Sequence, residues 1–187
     1  MITLNLKTKR LHLRALQMSD LADFHQYRSN PVVTQYQGFD VMTLEAARQF
    51  ITTNSTRTFG KAGEWVQYAI ADLQTEQLLG DYAIQLDAQD VRIAQVGMTI
   101  SHLHQRKGYA KEALLRILAF LFEEQSVLRV VEIMDAENTA AIRSLESVGF
   151  RQEGHFIENI FFKGKWGSEY QYAMLKREWE ENKAKIN

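Results

Sequence analysis

The sequence predicts one α/β domain, residues 1–187, built on a mixed central sheet with helices on both faces. Three observations predict it. Stretches with period-two hydrophobicity alternate along the chain with stretches of helical period. One strand–helix–strand unit, residues 92–134, is long enough for a parallel, right-handed crossover. Short polar links join other strands, which favours antiparallel hairpins.

The elements follow in order. Leu11, Leu13 and Ala15 alternate with His12 and Arg14, the pattern of a strand with one buried face. Ser19 is placed to cap a helix carrying Leu21, Phe24 and Tyr27, and Asn30-Pro31 should stop it. Thr43 is placed to cap a second helix with Ala47, Phe50 and Ile51 on one side, and residues 54–63 are a polar loop. Val66, Tyr68 and Ile70 alternate in a strand, residues 78–86 form the next, and the polar link 72–77 makes them a hairpin. Residues 92–100 form another strand. Residues 108–125 place Ala110, Leu114, Ile117, Leu118, Leu121 and Phe122 at helical spacing. The mostly apolar run 128–134 suits the sheet interior. Asn138 is placed to cap a helix bearing Ala141, Ile142, Leu145 and Val148, which Gly149 should end in a left-handed backbone. Strands over 150–162 and 169–175 close the sheet through Lys163-Gly164-Lys165, and the charged tail from Lys176 is helical.

Composition narrows the function classes. The formal net charge of −1 provides no overall positive field to recruit nucleic acid or anionic lipid. The chain has no cysteine, so disulfides, thiolate metal sites and a cysteine nucleophile are excluded. The first residues lack the apolar run of a secretory signal, and no stretch approaches about 18 uninterrupted apolar residues. A cytoplasmic protein is expected. His12, His25, His102, His104 and His155 carry no metal-ligand signature such as H-E-x-x-H, so no metal is expected.

The most informative segment is Gln105-Arg106-Lys107-Gly108-Tyr109-Ala110, between a predicted strand and an amphipathic helix. The first N–H groups of a helix lack internal partners, and the helix dipole adds partial positive charge there. Such an end binds phosphate oxygens. Gly108 lets the backbone approach, Ala110 keeps the next turn thin, and Arg106, Lys107 and Lys111 add positive charge. The glycine spacings of dinucleotide-binding loops and P-loops are absent.

This segment resembles the acetyl-CoA pyrophosphate loop of the GNAT superfamily. The resemblance extends across most of the chain and is strongest to the RimJ/RimL-like acetyltransferases. Thr8-Lys9-Arg10-Leu11-His12-Leu13-Arg14 is similar to that family's N-terminal strand. Val96-Gly97-Met98 followed by Gln105 onward is similar to its central strand, loop and helix. Glu132-Ile133-Met134-Asp135-Ala136-Glu137-Asn138, with Ser147-Val148-Gly149-Phe150, is similar to its second cofactor motif, and Gly164-Lys165-Trp166 with Tyr172-Ala173 to its C-terminal strands.

The resemblance implies the GNAT fold, whose central strands splay apart to admit acetyl-CoA as co-substrate. Val96, Gly97, Met98, Thr99 and Ile100 would then offer main-chain groups to the pantetheine, and an N–H near Met98 would polarise the thioester carbonyl. Asn138 would contact the pantetheine. The acceptor would be a primary amine, on a protein N-terminus or a small molecule, attacking directly in a ternary complex. A base must remove its proton. Glu153 is the first candidate, because the family often has Phe-x-x-Glu-Gly there. Glu132, a carboxyl among Val130, Val131, Ile133 and Met134, is the second.

The chain departs from the family at three positions. Leu145 stands where many members have the tyrosine that protonates the leaving thiolate, Ala141 where RimJ/RimL-like members often have serine, and Gln95 where relatives commonly have glutamate. Ser144 is the remaining candidate acid, although a thiol of pKa about 8.5 leaves tolerably with water as the proton source. These departures keep a second reading open, a non-catalytic acyl-CoA-binding sensor or partner domain. Trp166, Tyr170, Tyr172, Trp65 and Tyr36 either line the acceptor site or pack the sheet. Ser168 stands where relatives often have aspartate. Members of the family often dimerise, and the strands from Phe156 onward are the surface expected to form a homodimer.

Overall fold

The computed structural model describes residues 3–186. Among these, eight strands form one sheet in the order β1-β2-β3-β4-β5-β6-β8-β7. The strands are β1 Leu6–Lys7, β2 Leu11–Ala15, β3 Val66–Asp72, β4 Leu78–Leu86, β5 Ile93–Ile100, β6 Arg129–Asp135, β7 Arg151–Phe162 and β8 Lys165–Leu175. The helices are α1 Leu21–Arg28, α2 Pro31–Thr34, α3 Leu44–Asn54, α4 Tyr109–Ala119, α5 Thr139–Glu146 and α6 Lys176–Ile186. Only β5 and β6 pair in parallel, as the crossover length requires. No helix among the described residues is long and apolar enough to cross a membrane.

Period-two patterning explains the layers. On β3, Tyr68 and Ile70 join one buried cluster with Ala113, Leu114 and Ile117 of α4, while Ala69 joins another with Phe24 and Tyr27 of α1 and Ala47 and Ile51 of α3. Successive strand side chains point to opposite faces, so α4 covers one face and α1 with α3 the other.

Local chemistry differs from the sequence expectations in instructive places. Ser19 lies in a short 3₁₀ turn before α1 and does not cap it. Asp20 there accepts from the Gln17 N–H at 2.8 Å and pairs with Arg14, so the buried ion pair fixes the entry. Asn30 does more than end α1. Its side chain accepts from Val32 N–H at 2.9 Å and, with Pro31 in the first turn, starts α2. Thr43 caps α3 as expected, accepting from Ala46 N–H at 3.1 Å. β8 begins at Lys165 instead of Glu169, because Lys163 and Gly164 both take positive φ and close a two-residue hairpin.

Two features shape the centre. β5 pairs with β4 from Gly80↔Ile100 to Leu86↔Ala94, and β6 with β8 from Arg129↔Leu175 to Asp135↔Glu169. Between β5 and β6, however, pairing stops at Gln95↔Val131. Each central strand follows its own half of the twisted sheet, and a gap opens beside Val96–Ile100. On β4, Asp81 is fully buried and accepts from Tyr27 Oη at 2.7 Å, from Arg28 and from Gln67. The Arg28 guanidinium lies 4.0 Å from the Phe39 ring centroid, and its carbonyl takes the Met42 N–H at 3.1 Å. This network fastens α1 to the sheet and holds the segment 35–42 over the gap.

Candidate active site

The loop after β5 is held by its own polar groups. Gln105 donates its side-chain amide to the Ile100 carbonyl at 3.1 Å, and His104 N–H reaches the Ser101 carbonyl at 2.8 Å. Arg106 (φ 62°) and Gly108 (φ 80°) both turn left-handed, and α4 starts at Tyr109 with no side-chain cap. A Cβ at Gly108 would be strained at that φ, so glycine is favoured there. The first N–H groups of α4 therefore stand without helical partners.

A cavity of about 600 Å³ lies between this loop, the open edge of β5 and α5. Val96, Gly97, Met98, Thr99 and Ile100 line it from β5. Gln105, Arg106, Gly108, Tyr109, Ala110 and Lys111 line it from the loop and α4, and Asn138 and Ser144 from α5. Of the loop residues expected at the phosphates, Lys107 is the exception. It does not line the cavity, and its carbonyl accepts from Arg10 at 3.0 Å. Asn138 caps α5 through Oδ1, which accepts from Ala141 N–H at 3.2 Å, and its amide nitrogen remains as a donor. Arg143, which sequence reasoning missed, adds a third cation beside Arg106 and Lys111. It lies one residue before Ser144, but nothing in its local pattern marks it. Bare amides, three cations and an unpaired strand edge suit a ligand with an anionic diphosphate and an extended amide arm.

A second cavity of about 790 Å³ adjoins the first. Gly97, Met98, Glu132, Asn138, Ala141 and Tyr36 line both. Its charge is opposite. Asp40, Asp135, Glu137 and Glu169 face Lys163 and Lys165 only. Lys163 reaches across from the β7–β8 turn to donate to the Thr34 carbonyl, joining the hairpin to α2 beside this cavity. Glu132 stands at the junction. Its side chain is partly buried between the cavities, and this desolvation, with no charged group offsetting it, pushes the carboxyl up to about 8. A carboxyl tuned this way can hold or accept a proton near neutral pH.

The first candidate base is elsewhere. Glu153 lines neither cavity. It lies at the β7 register shift between Gln152 and Gly154, and β8 separates β7 from β6. Arg129, and then Arg151, hold its carboxyl below the usual range. Among the aromatic candidates only Tyr36 reaches the cavities. Tyr172 is buried with its hydroxyl donating to Glu146 at 3.0 Å, Trp166 packs edge-on against Phe161, and Tyr170 against His155. Leu145, in the family's tyrosine position, is core.

Residues 10–151 match the acetyltransferase (GNAT) domain family. The N-acetyltransferase YnaD of Bacillus subtilis is 28% identical over 176 residues, 94% of this chain and 99% of that protein. The spermidine N(1)-acetyltransferase of Vibrio cholerae is 27% identical over 162 residues, 83% and 87% of the two chains. The crystal structure of a GNAT-family acetyltransferase from Bacillus anthracis superposes with a TM-score of 0.84 at 27% identity, over 94% of this chain and all of that one. The family match falls on the splayed strands, the loop and α5 together, and the chain belongs to the GNAT family as an acetyl-CoA-dependent N-acetyltransferase.

Proposed function

We propose that this enzyme, RimJ/RimL-like in its motifs, acetylates a primary amine on a small acceptor carrying more than one positive charge, with Glu132 as general base. The observation that carries the reading is the position of Glu132 on the shared wall of a cationic cavity and an anionic one. The anionic cavity concentrates cations, whereas a neutral or acidic acceptor gains nothing from it. The Vibrio cholerae relative named for spermidine supports the same class. A protein N-terminus is the other acceptor class that the fold serves, and a basic N-terminal peptide belongs in the same test.

The chain's own groups supply the rest. N–H groups of β5 facing the gap orient the thioester arm, and one near Met98 stabilises charge developing on its carbonyl oxygen. One well-placed donor of this kind contributes about 3 kcal/mol. Glu132 takes the proton from the acceptor ammonium, leaving the amine free to attack. Attack forms the C–N bond, the C–S bond then breaks, and Ser144, on the cavity wall, relays the attacking nitrogen's second proton to the departing sulfur, with water as the alternative relay. The open edge at β7, where Ile157 and Phe161 are exposed beside Trp166 of β8, supports the expected pairing with a second copy.

The test is an acceptor panel of polyamines, monoamines, amino acids and basic N-terminal peptides, reading free CoA thiol, with Gly108→Asp as the binding-deficient control. Polyamines should outpace monoamines, and raising salt should narrow the difference. A preference for neutral amines or for peptides would overturn the acceptor class. CoA binding without turnover on any amine would favour the sensor reading instead.

A further inference from the structure

The Lys107–Gly108 peptide poses a mechanical problem. Glycine tolerates either sign of φ, so a peptide preceding glycine can rotate at little local cost. The loop therefore does not by itself decide where the Gly108 N–H points. Something outside it must.

Arg10, just ahead of β2, occupies that position. Its Nη1 donates to the Lys107 carbonyl at 3.0 Å, its Nε donates to Glu112 Oε2 at 2.6 Å, and its guanidinium lies 4.6 Å from the Tyr109 ring centroid. Glu112 is fixed in turn. Its Oε1 accepts from Thr8 Oγ1 at 2.6 Å and from Arg10 N–H at 2.9 Å, and its own N–H bonds the Gly108 carbonyl at 3.1 Å. Arg10 lies outside the cofactor cavity, whereas Gly108 lines it. In a planar trans peptide the carbonyl and the following N–H point in opposite directions. A carbonyl drawn outward to Arg10 turns the Gly108 N–H inward.

We propose that Arg10 is a positioning residue for acetyl-CoA, holding the Lys107 carbonyl so that the Gly108 N–H faces the diphosphate. The inference rests on reading residues 105–111 as the diphosphate site. The Arg10 side chain is 43% exposed, so its ion pair contributes little to folding. Its effect belongs to binding. The fork of the guanidinium matters, because Glu112 and the Lys107 carbonyl are served at once, which a lysine ammonium cannot reproduce in that geometry.

The experiment is titration calorimetry of the full chain with CoA and with pantetheine, which lacks the diphosphate. Arg10→Met keeps the aliphatic stem over Tyr109 and removes the donors. It should weaken CoA roughly tenfold, the scale of one charge-assisted hydrogen bond, and leave pantetheine within about twofold. Arg10→Lys should fail to restore CoA affinity. Equal losses for both ligands, no loss for CoA, or full rescue by lysine would each overturn the proposal. Should Arg10→Met melt below the working temperature, Arg10→Lys carries the same comparison. A wild-type protein that binds CoA no tighter than pantetheine would instead sink the diphosphate site itself.

Discussion

Glu132 and Glu153 are both glutamates on strands of one sheet, yet their surroundings drive them in opposite directions. Glu132 is desolvated without a countercharge and rises to about 8, whereas Glu153 sits between two arginines and falls. Glu132→Gln should lower kcat by about a hundredfold or more, the usual scale for losing a general base. In the wild type, kcat/KM should rise with pH through about 8 as the carboxyl ionises. The same group has a stability signature. Its folded pKa lies above the unfolded value, so the stabilisation it gives is complete below about pH 4 and is lost as pH rises through about 8. Glu132→Gln should therefore match the wild type near pH 4 and exceed its Tm at pH 9, which a pH series of thermal melts would read. Glu153→Gln should leave turnover alone and cost at most about 1 kcal/mol by denaturant titration, since its ion pairs are partly solvated. A large kcat loss there would return the base assignment to Glu153.

Elements place these residues. β5 lines the first cavity with its unpaired edge, and its end is set by close contact with β4. A Cβ on Gly80 would fall 2.3 Å from the Thr99 carbonyl oxygen and 3.0 Å from the Ile100 Cα, so only glycine fits. Gly80→Ala should push β5 away from β4, cost about 1–3 kcal/mol by overpacking, and raise the KM for acetyl-CoA. An unchanged KM would mean that the strand's end does not guide the cofactor.

At the scale of the whole molecule, the buried Asp81–Arg28–Tyr27 network ties the sheet to α1 and to the segment over the cavities. Asp81→Asn removes one partner and leaves the Arg28 cation buried, which should cost about 3–5 kcal/mol in chemical denaturation. A loss below about 1 kcal/mol would show that the pair is not what fastens that layer. Oligomeric state belongs here too. Sedimentation of the wild type against Phe161→Glu should show a dimer falling to a monomer if the β7 edge is the interface.

Much of this was legible in the residues themselves. Period-two and helical spacing place the strands and helices, Thr43 and Asn138 announce their caps, and Gln105 to Ala110 announce a turn that leaves the first amides of a helix bare, because each signal is local and chemical. The loop's outer brace, the charge division between the cavities and the fate of the two glutamates were not legible. Arg10 and Glu112 are 102 residues apart. Glu153 looked close to the cleft because Gly149-Phe150 precede it, but strand order inserts β8 between β7 and β6. The sequence by itself determined the family, the cofactor and the elements, since those depend on patterns between near neighbours. Only the tertiary structure decided which carboxyl is desolvated, because burial and charge depend on what long-range packing brings alongside each group.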